Sequence, residues 1–273
     1  MSLRYLLSAA GIVFSVLLSA QSDREIVEDY LKKNDSKNAG ESMIYFAKRF
    51  IDRPYVAATL EINDDEQLVV NMKELDCTTL VETVTALTLT ANEGKSDYES
   101  FEKNLTLVRY RNGIIDGYLS RLHYSSDWIF DNLKKGIIED VTKSAGKEIM
   151  FDLNFMSTHP DSYKYLKNHR EAIPETAKIE RQISERTYYY IPKEEIKTFD
   201  GHYRNGDIIM FLTSVPGLDF SHMGIFYRDG GKSAFIHASS KYEKVLINPE
   251  SLYDYCKAVK SNKGVVILRI AAR

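Results

Sequence analysis

One cysteine in this sequence lies where a helix should begin. Cys77 follows Asp76, a residue type that favours helix N-caps, and apolar side chains recur behind it at helical spacing. The positive end of a helix dipole and the unpaired backbone N–H groups there both favour a thiolate. Because a thiolate is a nucleophile, we expect Cys77 to attack an electrophilic carbon of a substrate.

Two histidines far downstream could serve this thiol. His222 lies near the start of the strand-like run 221–227, and His237 lies near the end of the run 234–239. The segment 228–232 between them contains two glycines, which supply the positive φ angles of a hairpin turn. Antiparallel pairing would place both histidines on one face. The set would then contain a thiol, a base and a residue that orients the base, as nucleophilic thiol catalysis requires.

The other cysteine and histidines indicate no further chemistry. Cys256 lies on the apolar face of a helical pattern, so we expect a buried, unpaired thiol. A Cys77–Cys256 disulfide is the alternative, and it would disable the nucleophile. The other histidines are scattered, without close His-Glu or Cys-Cys pairs: His123, His159, His169 and His202. The sequence therefore predicts no metal site and no cofactor.

Composition indicates a globular chain without a strong overall charge. The 273 residues are 44% apolar and 27% charged, enough to bury a substantial core, and the formal net charge is −3. This charge does not favour nucleic acid as a partner. No repeat or low-complexity tract interrupts the chain, so we expect a single catalytic domain over residues 21–273.

The first twenty residues differ from the rest. A short basic start precedes an apolar run that ends at Leu18, and Ser19-Ala20-Gln21 offers small residues for cleavage. The run is too short for a membrane span, so the pattern predicts a signal peptide over residues 1–20, cleaved near Ala20. We expect an exported, periplasmic protein without stable membrane insertion; a retained anchor is the alternative. The sequence leaves the oligomeric state open.

Hydrophobic patterns divide the chain into a helical first half and a β-rich second half. They predict helices over residues 23–33, 40–51 and 96–108, and strands over residues 66–71, 187–192, 206–212 and 264–270. Helices followed by a mostly antiparallel sheet form the α+β pattern. We expect the chemistry where the Cys77 helix meets that sheet.

Five short blocks of sequence together resemble the NlpC-type, papain-like cell-wall peptidases and amidases. In chain order they are Pro54-Tyr55-Val56, Asp76-Cys77, 205–209, 222–226 and 236–239. The resemblance implies a papain-like α+β core, with N-terminal helices packed on a mostly antiparallel sheet and with helical insertions. It also implies that Tyr55 lines the site near the nucleophile.

The chain departs from the common pattern of that superfamily in ways that resemble a narrower branch. Thr78-Thr79 stands where Ser-Gly usually follows the cysteine, and residues 57–75 and 97–205 exceed a minimal domain. With the blocks 109–111 and 120–124, these features resemble a branch described as N-acetylmuramoyl-L-alanine amidase-like. That resemblance implies hydrolysis of the amide between the lactyl group of muramic acid and L-alanine in muropeptides, with 1,6-anhydro muropeptides as one candidate substrate.

Several side chains could bind such a substrate. One of three arginines, Arg109, Arg111 or Arg121, could hold the D-glutamate or diaminopimelate carboxylates, since the planar arginine fork binds carboxylates bidentately. Solvated or salt-bridged arginines are the alternative. Asp76 is foremost a helix cap and could also contact the substrate, and Tyr55 could instead be a packing aromatic.

The expected reaction is acyl transfer through a thioester. His222 takes the thiol proton, His237 orients His222, and backbone N–H groups at the helix start meet the oxyanion. Two alternatives stay open. One is an endopeptidase that cleaves γ-D-glutamyl–diaminopimelate bonds, and the other is a non-catalytic muropeptide-binding module of the same fold.

Overall fold

The computed structural model describes residues 21–272. The predicted signal peptide, residues 1–20, lies outside the described residues. Within them, none of the helices combines the length and the apolar character that crossing a membrane requires.

Five helices from the first half of the chain pack around one apolar core. They are α1 (Asp23–Lys32), α2 (Ala39–Arg49), α3 (Cys77–Asn92), α4 (Tyr98–Arg109) and α5 (Ser125–Lys134). Side-chain caps begin the first four: Ser22, Asn38, Asp76 and Asp97. Each accepts a hydrogen bond from a first-turn N–H that would otherwise lack a partner. α3 is buried throughout Thr79–Thr90, so its neighbours fix the position of its first residue, Cys77.

The rest of the described chain forms an antiparallel sheet with further short helices. The strands are β1 (Ile138–Asp140), β2 (Lys147–Ile149), β3 (Tyr188–Pro192), β4 (Ile208–Thr213), β5 (Phe220–Asp229), β6 (Lys232–Ser239), β7 (Lys244–Ile247) and β8 (Asn262–Ile270). Their order is β2-β3-β8-β4-β5-β6-β7, with β1 also paired to β8. The further helices are α6 (Phe155–Thr158), α7 (Lys164–Asn168), α8 (Ile173–Ser184) and α9 (Leu252–Ala258). Helices followed by an antiparallel sheet confirm the predicted α+β class.

β4 is buried along its whole length because both faces of the sheet are covered. Ile208, Met210 and Leu212 belong to the large core that includes the helices α1 to α5. Ile209 and Phe211 alternate with them and belong to a smaller core on the other face. The sheet is therefore a central layer, and α3 packs against it at β5 and β6.

The second cysteine has the structural position that its helical pattern predicts. Cys256, on α9, is fully buried in the smaller core, and both Cys77 and Cys256 are free thiols. Burial raises the pKa of Cys256 to about 11, which makes it an unreactive thiol.

One predicted element is wrong: residues 66–71 are an irregular segment rather than a strand. Side chains, instead of a neighbouring strand, bind its carbonyl groups. The Tyr110 hydroxyl donates to the Gln67 carbonyl at 3.1 Å, and Arg109 Nη1 donates to the Val69 carbonyl at 2.7 Å. Because α4 and the residue after it supply these donors, the segment needs no strand pairing.

Candidate active site

Cys77 is the first residue of α3 and is held there by a reciprocal cap. The Asp76 carboxylate accepts the Thr79 N–H at 2.8 Å, and Thr79 Oγ1 accepts the Asp76 N–H at 2.9 Å. This is a capping box in which threonine takes the place of the usual glutamate or glutamine. Thr79, one of the residues that depart from the superfamily pattern, therefore helps to fix the backbone beside the thiol.

The surroundings of Cys77 oppose the thiolate that its position at a helix start favours. Burial raises its pKa to about 12, and the negative charge of Asp76 adds to the effect. Hydrogen bonds from the Met223 backbone and from Thr78 oppose the shift but do not overcome it. The cost of burying a charge exceeds the stabilisation from the helix dipole, and a carboxylate cap cancels part of that dipole.

The hairpin that carries the two histidines forms as predicted. β5 and β6 pair up to Asp229 and Lys232, and the two glycines between them take positive φ angles of 55° and 89°. A Cβ atom built at Gly224 would lie 3.1 Å from the Cβ atom of His237. It would also lie 2.8 Å from both the Ile236 carbonyl oxygen and Cδ2 of Phe235, so glycine at this position permits the close approach of β6.

The structure brings His222 and His237 into direct contact. Nε2 of His222 lies 2.7 Å from Nδ1 of His237, and the two rings are nearly perpendicular. Burial lowers the pKa of His222 to about 3, with the nearby His237 adding to the shift, and burial lowers the pKa of His237 to about 4. Both rings are therefore neutral. When His222 donates from Nε2, its Nδ1 lone pair is available as the base.

Cys77 and His222 line the same cleft, which has a volume of about 150 Å³. Other residues that line this cleft are His123, Tyr124 and Tyr163. The sequence analysis did not predict any of them as a site residue, although the block 120–124 carried part of the family resemblance. Nothing in the sequence indicated Tyr163. The sequence prediction of a thiol close to its base is consistent with this shared cleft.

Asp219 is a further cleft residue that the sequence reasoning missed. Its carboxylate accepts two backbone hydrogen bonds, from the Ser126 N–H and from the Phe220 N–H, both at 2.7 Å. It thus ties the start of α5 to the start of β5, three residues before His222. Among the described residues that line the Cys77 cleft, Asp219 is the one carboxylate.

Tyr55 is held beside the start of α3 by backbone hydrogen bonds. Leu75 N–H donates to the Pro54 carbonyl, and Val56 N–H donates to the Leu75 carbonyl, both at 3.2 Å. Burial raises the pKa of the Tyr55 hydroxyl, and the nearby Cys77 and Asp76 add to the shift. The structure therefore brings Tyr55 and Asp76 close to the thiol.

The three predicted arginines do not line this cleft; Arg111 and Arg121 line a neighbouring one that shares His123, Tyr124 and Met156 with it. Arg109 is 2% exposed and donates to Glu82 Oε2 at 2.6 Å. The other two are also paired: Arg111 with Asp127 at 2.6 Å, and Arg121 with Glu61 at 2.5 Å and Glu66 at 3.2 Å. Each arginine that the sequence suggested for a substrate thus has at least one carboxylate of the protein as a partner.

The described residues contain no group of three or more His, Cys, Asp or Glu side chains arranged to hold a metal ion. His159, His169 and His202 each lie against a neighbouring aromatic ring instead. The chemistry that Cys77, His222 and His237 can perform together is proton transfer and nucleophilic attack by a thiol.

Comparison with known proteins gives one family and several similar structures. The family model described as AmiA-like, N-acetylmuramoyl-L-alanine amidase-like, matches residues 45–265. A crystal structure of an N-acetylmuramoyl-L-alanine amidase from Bacteroides uniformis ATCC 8492 is 39% identical, with a TM-score of 0.82 over 86% of this chain and 99% of that chain. A putative xylanase from Bacteroides fragilis is 42% identical, with a TM-score of 0.79 over 82% of this chain and 99% of that chain.

A more distant structure shares the fold. A protein from Legionella pneumophila str. Philadelphia 1 is 22% identical, with a TM-score of 0.70 over 91% of this chain and 94% of that chain. No curated protein matches the chain.

Proposed function

This chain belongs to the AmiA-like, N-acetylmuramoyl-L-alanine amidase-like family, and on that premise we propose that it is a cysteine amidase acting on muropeptides. The scissile bond is the amide between the muramic acid lactyl group and L-alanine. The observation that carries the proposal is the cleft that Cys77 and His222 share, with His222 held by His237 at 2.7 Å.

The chemistry of the cleft favours thiol attack on an amide over cleavage of a glycosidic bond. Glycoside hydrolases ordinarily use two carboxylates on either side of the bond. In the described part of this cleft, Asp219 is the one carboxylate, and backbone N–H groups at α5 and at Phe220 already bind it. A thiol and a neutral imidazole are the groups suited to acyl transfer.

The first half of the cycle forms a thioester. The Cys77 proton moves to Nδ1 of His222 as Sγ attacks the carbonyl carbon, and the carbonyl electron pair moves onto oxygen. The backbone N–H of Cys77, at the start of α3, stabilises this oxyanion. When the tetrahedral intermediate collapses, the C–N bond breaks and the proton on His222 passes to the leaving nitrogen of L-alanine.

The second half releases the acyl group. A water molecule gives a proton to His222 and attacks the thioester carbon, and the C–S bond breaks. The proton returns to sulfur, which leaves a free lactyl carboxylic acid and restores the resting thiol. Throughout the cycle, Nδ1 of His237 accepts a hydrogen bond from Nε2–H of His222. This bond keeps Nδ1 of His222 directed to the reacting atoms.

The proposal includes a papain-like core of the NlpC type. Its support is the helix that begins at Cys77 and packs on an antiparallel sheet, with the two histidines on adjacent strands β5 and β6. It also includes export to the periplasm, where peptidoglycan is accessible. The support for export is the signal-peptide pattern of residues 1–20, and N-terminal sequencing of the mature protein that found Met1 retained would contradict it.

The decisive experiment is hydrolysis of a defined muropeptide followed by mass analysis of the products. The amidase releases a stem peptide with an intact N-terminal L-alanine. Cys77→Ala should lower turnover by about 10⁴-fold or more, because the nucleophile is lost. Cys256→Ala is the matched control, since that thiol lies in the core, and it should retain activity per folded molecule.

Three outcomes would contradict the proposal in different ways. Release of diaminopimelate from D-glutamate would identify an endopeptidase. Binding without turnover by the wild-type protein would identify a muropeptide-binding module. Full turnover by Cys77→Ala would exclude the thiol mechanism.

A further inference from the structure

A second cleft adjoins the first at His222. Its volume is about 420 Å³, in the range of ligand-binding pockets. Ser221 and His222 line both clefts, whereas Cys77 lines the first cleft only. The second cleft therefore contains the proposed acid but lacks the nucleophile.

We propose that this second cleft binds the leaving stem peptide, with Lys241 binding one of its carboxylates. The inference rests on the proposed function, and it follows from where each product is held during the reaction. The acyl group is bonded to Sγ of Cys77 and stays in the first cleft. The leaving nitrogen takes its proton from His222, so the peptide that it carries lies beyond His222.

Charge complementarity favours the peptide over the sugar as the occupant. Lys241 and Glu250 both line the cleft and both are exposed, so they offer one cation and one anion. A stem peptide carries carboxylates and, at diaminopimelate, an amino group. The N-acetylated sugar in the substrate is uncharged, because its lactyl carboxyl is tied up in the scissile amide.

The cation of this cleft is free to pair with a ligand. In the part of the chain that the structure describes, none of the acidic side chains forms a salt bridge with Lys241; its Nζ lies 5.1 Å from the centre of the Tyr242 ring. Lys241 differs in this respect from Arg109, Arg111 and Arg121, each of which forms a salt bridge with a carboxylate of the protein.

The floor of the cleft contains buried polar groups suited to a peptide backbone. Asn248 is 1% exposed and Asn262 is 3% exposed. Asn262 Oδ1 accepts the Ser221 hydroxyl at 3.1 Å, which fixes the orientation of the amide. An amide fixed in this way can donate from Nδ2 to a peptide carbonyl at low cost in side-chain entropy.

The test measures binding of the released product to a protein that cannot turn over. Calorimetry compares the tripeptide L-alanyl-γ-D-glutamyl-diaminopimelate with the methylamide of N-acetylmuramic acid, an uncharged sugar, on Cys77→Ala protein. Adding Lys241→Met should weaken tripeptide binding by about 5- to 10-fold, the usual size for one charge-assisted contact, and leave the sugar unaffected. Lys167→Met, an exposed lysine on α7 outside both clefts, is the matched control.

The proposal is overturned if Lys241→Met and Lys167→Met bind the tripeptide equally well, or if Lys241→Met weakens the sugar instead. In turnover, Lys241→Met should raise KM about fivefold for N-acetylmuramoyl-L-alanyl-D-glutamate and less for the D-isoglutamine form, in which the α-carboxylate of glutamate is replaced by an uncharged amide. If the protein binds the tripeptide through Lys241 but does not hydrolyse muropeptides, the proposed function is wrong and the peptide subsite is supported. If the protein hydrolyses muropeptides and Lys241→Met changes neither binding nor KM, the function is supported and the subsite is wrong.

Discussion

The histidine pair, His222 with His237, and the arginine set, Arg109 with Arg111 and Arg121, provide partners for their polar groups in different ways. The histidine pair is neutral and hydrogen-bonded ring to ring, and His222 also lines a cleft. The arginine set is charged, and each arginine is paired with a carboxylate of the protein. Two sets of residues that the sequence analysis placed in the site thus have different surroundings.

The difference teaches how to separate a reactive site from a structural one. A buried charge must be paired, and once paired it has little capacity left for a ligand. A neutral imidazole is cheaper to bury and keeps a lone pair on the nitrogen that its partner does not use. Arg109 and Arg121 therefore anchor the irregular segment before α3, through the Val69 carbonyl and Glu66, and Arg111 pairs with Asp127 on α5.

The largest effect should come from breaking a buried ion pair of the arginine set. Arg109→Met should lower the free energy of unfolding by about 3 to 5 kcal/mol, because it leaves the Glu82 carboxylate buried without a partner. Denaturant unfolding measures the loss. The Arg109→Met/Glu82→Met double variant should recover most of it. Stability that stays unchanged, together with a raised KM, would instead make Arg109 a substrate-binding residue.

A smaller effect should appear in the pH dependence of stability, with opposite signs for the two regions. The pKa values of His222 and His237, about 3 and about 4, lie below the ordinary value of 6.5. As the pH falls below 6.5, the unfolded chain takes up protons that the folded chain does not. These histidines should therefore cost about 2 to 4 kcal/mol of stability between pH 7 and pH 5, with further loss down to the folded pKa values.

Burial raises the pKa of Glu82, beside Arg109. A carboxyl whose folded pKa is raised adds stability as the pH falls, so it acts against the histidines. The measurement is therefore a difference between two proteins, wild type and His222→Gln/His237→Gln, unfolded at each pH. The Glu82 contribution cancels in this difference. A difference that does not vary with pH would show that the pair is not held neutral.

The smallest effect should come from the orienting member of the histidine pair. His237→Ala removes the acceptor for the Nε2 proton of His222 and should lower kcat by about 100-fold, or ~2.7 kcal/mol, with little change in KM. His237→Asn places an acceptor oxygen near the former Nδ1 position and should restore most of the rate. Equal rates for the alanine and asparagine variants would indicate that His237 only packs against Phe235 and Tyr255, its aromatic neighbours.

Local patterns predicted much of the fold because short-range physics decides it. The Asp76 cap, the glycine turn between β5 and β6, and the strand-forming run at β4 each act within a few residues. The segment 66–71 failed for the opposite reason. Its β-type composition was overridden by donors from Arg109 and Tyr110, about 40 residues away in the sequence.

The sequence by itself determined which residues could do chemistry, a helix-start cysteine and two histidines on one hairpin, and it set aside a second cysteine in an apolar helix. Only the tertiary structure decided their pKa values and their interaction partners. It placed the half-buried Cys77 beside Asp76, which raises the pKa of the thiol, and it gave Arg109, Arg111 and Arg121 carboxylate partners. The reason is that desolvation and charge pairing depend on everything within a few ångströms, and most of those neighbours are distant in the chain.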